Sequence, residues 1–156
     1  MARKDKDDLK TFLDPFDDQT IKLAFWLRDF VWKLFPECNE LIYDNYNAVA
    51  VGWSTTLTLF DTFCSIAVYN NKAVHFGFYW GSKLKDPKEM LLGKGAQYRY
   101  IRVSKTSEFP QEYIVDLLAE AHINSLAHQK GDPAIKGQTV VKSISPKKKR
   151  PVKTEP

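Results

Sequence analysis

Residues 66–81 read IAVYNNKAVHFGFYWG, and this stretch constrains the fold more than any other. Apolar side chains alternate on both sides of an Asn70-Asn71-Lys72 break. A period of two is the signature of a strand with two distinct faces. Asparagine tolerates positive φ, so the break predicts a tight hairpin and hence antiparallel pairing. One hairpin is marginal alone, so further strands and a covering layer are required.

The same alternation recurs in NAVAVGWS, TFCSIAVYN and QYRYIRVS, with LIYD (41–44) as a short additional strand. One face collects Val49, Val51, Trp53, Cys64, Ile66, Val68, Val74, Phe76, Phe78, Trp80, Ile101 and Val103. The opposite face collects Ala48, Ala50, Gly52, Phe63, Ser65, Ala67, Tyr69, His75, Gly77, Tyr79, Tyr98, Tyr100 and Arg102. The first set predicts the core. The second is small and tyrosine-rich, unlike an ordinary solvated face. It fits a ligand or partner surface formed by His75, Tyr79, Tyr98, Tyr100 and Arg102. It equally fits a helix of the same chain closing on the small residues.

Before the strands the period is helical. Leu9, Phe12 and Leu13 predict a short helix over residues 3–13. A second follows, capped by Asp14 with Pro15 in its first turn, and ends near Phe35 ahead of Pro36. Its apolar stripe is Ile21, Leu23, Ala24, Leu27, Val31 and Leu34. A last helix spans 110–127, burying Ile114, Leu117, Leu118 and Ala121. Helices at both ends with strands between predict an α+β domain over residues 1–129, with an antiparallel sheet of about four to five strands.

From Lys130 onward the composition turns to Gly, Pro, Ser and Lys, predicting a disordered basic tail over 130–156. Charge separates the two parts. The tail holds eight Lys or Arg and two acids, a net +6, whereas the first 129 residues hold fifteen bases and seventeen acids, a net −2. SPKKKRPVKTEP looks like a nuclear-import signal. Its Lys147, Lys148, Lys149 and Arg150 also suit weak nucleic-acid contact by a solvated arm.

No apolar run reaches the roughly 20 residues of a membrane helix. The first ten residues carry charges with no apolar stretch behind them, against a secretory signal. Two cysteines are too few for a disulfide framework, so the expectation is a cytoplasmic protein with reduced thiols.

Tests for chemistry end mostly in exclusion. There is no CxxC or HxxxH, and His122 and His128 fall on different helix faces. GWSTT is not G-x-S-x-G, and LLGKGAQ lacks the P-loop spacing. Asp5, Asp7, Asp8, Asp14, Asp17 and Asp18 cluster near the first helices. Such carboxylates accept hard cations weakly, with Asp14, Asp17 and Asp18 as the candidate ligands, and they equally cap helices.

YNAVAVGW, FCSIAVYNNKAVHFGFYWGSKLKDPKEMLLGKGAQYRYIRV and PQEYIVDLLAEA together resemble the YdhG-like domain family, over roughly residues 20–127. That family consists largely of uncharacterised bacterial domains. The resemblance implies a compact frataxin-like sandwich and, from one branch, an intracellular iron chaperone serving iron–sulfur or haem synthesis proteins. It supplies no catalytic motif. The function expected is therefore a non-enzymatic binding or carrier module, with weakly bound iron as its specific form. The alternative is a nucleic-acid-associated accessory protein acting through the tail, and an enzyme comes third.

Overall fold

The structure is a computed structural model that describes residues 6–152. Helices α1 (Lys6–Leu13) and α2 (Asp18–Leu34) precede strands β1 (Asn39–Asp44), β2 (Ala48–Ser54), β3 (Thr62–Tyr69), β4 (Val74–Tyr79) and β5 (Tyr98–Val103). Helix α3 (Gln111–Ala127) and strand β6 (Thr139–Ile144) complete the order. The fold is α+β. Its sheet has six strands in the order β5-β4-β3-β2-β1-β6, more than the four to five expected. It is also mixed: β6 runs parallel to β1, and every other pair is antiparallel.

All three helices bury their stripes against one face of the sheet. Leu9 and Leu13 from α1, Leu23, Ala24, Leu27 and Val31 from α2, and Ile114, Leu117, Leu118 and Ala121 from α3 join the predicted sheet face in one core. Ile21 is half-buried and Leu34 exposed, so the stripe of α2 is narrower than its apolar positions suggest. Helix α2 also buries a charge. Arg28 is fully buried and donates to the equally buried Glu40 through Nε (2.8 Å) and Nη2 (2.5 Å). Trp53 Nε1 and Thr139 Oγ1 also donate to Glu40, at 3.2 and 3.3 Å. Burial of such a pair is tolerable only with this density of partners.

Three local details depart from the sequence reading. Asp17, not Asp14, caps α2, accepting from Thr20 N at 2.8 Å. In the hairpin the positive φ falls on Lys72 (68°), as in a type I turn closed by one left-handed residue. Phe63 packs among the helices, 5.1 Å from both Phe35 and His122, because the register of β2 and β3 shifts between Trp53 and Ser54. The extra residue turns Phe63 from the second face to the core.

The largest correction concerns residues 130–152, which fold onto the body. Three carboxylates, Glu40, Asp44 and Asp61, are each at most 2% exposed, and each takes partners from this segment. Lys130 N and Gly131 N donate to Asp61, Thr139 to Glu40, and Lys148 and Arg150 to Asp44. A buried carboxylate without donors is strongly disfavoured, so these contacts order a segment whose composition alone would leave it loose.

Candidate functional site

The predicted core run of β4 stops one residue early. Trp80 adopts φ 58° and ψ 28°, a left-handed conformation uncommon for a bulky residue. Two hydrogen bonds fix the turn: Gly81 N to Gln97 O (2.8 Å) and Lys83 N to Trp80 O (3.0 Å). Trp80 therefore leaves the core face assigned to it from the alternation and is only partly buried.

It faces a second exposed aromatic. The chain enters β3 through a single 3₁₀ turn, Leu59–Asp61, which leaves Phe60 45% exposed. The Phe60 and Trp80 rings meet at 5.8 Å and 63°, an edge contact that leaves ring faces open. Together with the last turns of α3 they bound a cleft of about 520 Å³, and a smaller hollow of about 310 Å³ lies against the same two rings. Lys83 Nζ sits 5.6 Å from the Trp80 ring, and Lys130 Nζ 5.4 Å from the Phe60 ring.

The cleft wall is rigidly tied. Asp61 accepts from Thr56 Oγ1 (2.6 Å), Thr58 Oγ1 (2.9 Å), Lys130 N (2.9 Å) and Gly131 N (2.8 Å). Burial pushes its carboxyl up, but the hydrogen bonds from Thr56, Gly131, Lys130 and Thr58 outweigh it and hold the group below its usual range. Ser125 of α3 donates to Asp61 O at 2.6 Å and lies 2.7 Å from Thr55 Oγ1. Strand entry, helix end and the following segment are thus joined by one hydrogen-bond network. Thr62, which also lines the cleft, carries a buried hydroxyl with no hydrogen-bond partner. A rigid, mostly apolar concavity with a few polar groups is what small-molecule sites share.

The residues singled out from sequence fall elsewhere. His75, Tyr79, Tyr98, Tyr100 and Arg102 do come together on the second face. His75 stacks on Tyr100 (4.3 Å, 9°), Tyr100 on Tyr98 (5.8 Å), and Tyr98 meets Tyr79 (5.7 Å). Arg102 sits 5.8 Å from the Tyr100 ring. Among the described residues the sheet's own side chains cover this face, Tyr98 lying over Gly77 and Thr62 over Gly52, while the helices bury their stripes on the other face. A Cβ at Gly77 would overlap the Tyr98 ring. Burial raises the Tyr98 phenol well above its ordinary value, an effect that a hydrogen bond from Ser65 partly offsets. Tyr43 joins the layer from β1, and burial pushes its phenol up to about 12. Burial lowers His75, and the Arg102 charge adds to this. Tyr79 is shared, lining both the cleft and this face.

Asp14, Asp17 and Asp18 do not converge on a metal. Asp17 is engaged by Thr20 N and pairs with Lys72 at 3.2 Å, while Asp14 and Asp18 are exposed. Asp5 lies outside the described residues. Among the described residues no group of three or more His, Cys, Asp or Glu side chains could hold a metal ion. Of the basic run, Lys148 and Arg150 hold Asp44, the latter through Nη2 at 2.7 Å, and Lys147 and Lys149 are exposed. Among the described residues no helix is long and apolar enough to cross a membrane.

Phe60, Trp80, Lys83 and Lys130 were not singled out by sequence reasoning. One available signal was TTLTLFDT (55–62), where the alternation breaks at Leu59-Phe60 and an Asp follows three threonines. Compared with known proteins, the chain matches no protein-family model, no curated protein and no solved structure.

Proposed function

We propose that this chain is a non-enzymatic binding or carrier module of the YdhG-like type that holds a small molecule in the Phe60–Trp80 cleft. The observation that carries this reading is Trp80. A left-handed bulky residue costs about 1–3 kcal/mol, and such strain collects where a side chain must be presented for function. Here it sets an indole at the mouth of the larger cleft. Binding rather than turnover is supported by the state of the nearby groups, since Asp61 and Ser125 are both engaged in holding the wall together.

The iron-carrying form of this reading, with its iron–sulfur or haem synthesis partners, finds no donor set among the described residues. Anaerobic titration with ferrous iron tests it separately. Binding that falls on joint replacement of Asp14, Asp17 and Asp18 by Asn would establish it.

The cleft itself is tested by saturation-transfer NMR of the full chain with a set of small aromatic fragments. Bound fragments should be lost in Phe60→Ala and in the cleft-filling Asn124→Trp, and kept in Tyr100→Ala. The reverse pattern would move the site to the tyrosine face and overturn the proposal.

A further inference from the structure

Resting on that binding reading, we infer the chemical class of the ligand: a planar ring compound bearing a negative charge. Three observations point to it. The first is the pair of ring walls. Phe60 and Trp80 meet at 63° rather than stacking, and both line the cleft, so aromatic surface faces its interior.

The second is the pair of ammonium groups. Lys83 and Lys130 stand over those two rings, and among the described residues neither forms an ion pair with a carboxylate. The two acids that line the cleft keep their charge, but their oxygens are turned onto donors of the wall, and Asp61 is buried. Asp61 takes four donors, and Glu120 Oε1 accepts from Lys85 N at 3.0 Å. A cation on an aromatic face is weakly held and swings readily onto an anion brought beside it.

The third is size. About 520 Å³ suits one fused ring system with its substituent and is too small for a folded peptide or a nucleic-acid strand.

Three probes separate the parts of this inference, each titrated calorimetrically into the full chain: 2-naphthoate, its neutral amide 2-naphthamide, and the non-planar anion decalin-2-carboxylate. 2-Naphthoate should bind about fivefold tighter than 2-naphthamide, the upper end for one exposed charge contact, and measurably tighter than decalin-2-carboxylate, which cannot lie flat on a ring. In the double variant Lys83→Met, Lys130→Met, its affinity should fall to that of 2-naphthamide, while the 2-naphthamide affinity stays the same. Both lysines are exposed, and the three-probe comparison on the unaltered chain needs no variant. Equal binding of 2-naphthoate and 2-naphthamide would overturn the anionic class and leave the binding module standing. Equal binding of decalin-2-carboxylate would overturn planarity. Heat from none of the three would remove the inference and the binding reading together.

Discussion

Replacing Trp80 by Gly and by Ala should reverse the usual order of those two residues. Both variants lose the same indole, its edge contact with Phe60 and its contact with Lys83, so these terms cancel in the comparison. What remains is the backbone. An L-residue in the left-handed region costs roughly 1–2 kcal/mol, and Gly does not incur that cost. Gly loses more chain entropy on folding, roughly 0.5–1 kcal/mol relative to Ala. The difference leaves Trp80→Gly more stable than Trp80→Ala by about 1 kcal/mol, or roughly 2–4 °C in melting temperature for a chain of this size. Tyr79, one residue earlier and within β4, supplies the control. There Tyr79→Gly should be the less stable of the pair. Urea midpoints for the four variants decide the matter. If Trp80→Ala is clearly the more stable of the two, Trp80 is not held in a left-handed turn, and the strain argument for the site fails. Both Trp80 variants should lose fragment binding whatever their stability.

Ending the chain at Gln129 should remove most of its stability. Glu40, Asp44 and Asp61 would each lose donors while buried, at about 1–3 kcal/mol apiece, against a typical total of about 5–15 kcal/mol. An unchanged thermal midpoint would mean the segment does not dock. Gly77→Ala should destabilise by about 1–3 kcal/mol by displacing the Tyr98 ring, and the cost should shrink in a Tyr98→Ala background. Additive losses would show that the ring does not lie there. Burial lowers His122, so the folded state binds fewer protons than the unfolded chain, and stability should fall as pH drops through the ordinary histidine range. His122→Phe, which keeps ring contacts with Phe35 and Phe63, should flatten the slope of the urea midpoint between about pH 7.5 and 5.5. An unchanged slope would refute this.

How far the fold was readable from sequence follows from the range of the interactions. The α3 stripe and the two faces of β4 depend on residues a few positions apart, and periodicity recovers them apart from Trp80. Strand β6 depends on Glu40 and Asp44, about a hundred residues away, and its own composition points to disorder. The acids inside NELIYD were the available hint, since a strand that buries carboxylates must find donors somewhere. The cleft was hidden for a different reason. Alternation assumes extended backbone, and Trp80 breaks it through a single φ value that no residue pattern announces. The tyrosine face was legible as a cluster, but not that its own rings would cover the small residues beneath them.

The most direct test of the binding cleft is an amide chemical-shift map of the full chain titrated with 2-naphthoate. The account predicts perturbations concentrated at residues 60–63, 79–83 and 120–130, where the two aromatic walls, the strand ends and the end of α3 converge. Perturbations centred instead on His75, Tyr98 and Tyr100, or on the run Lys147 to Arg150, would contradict it.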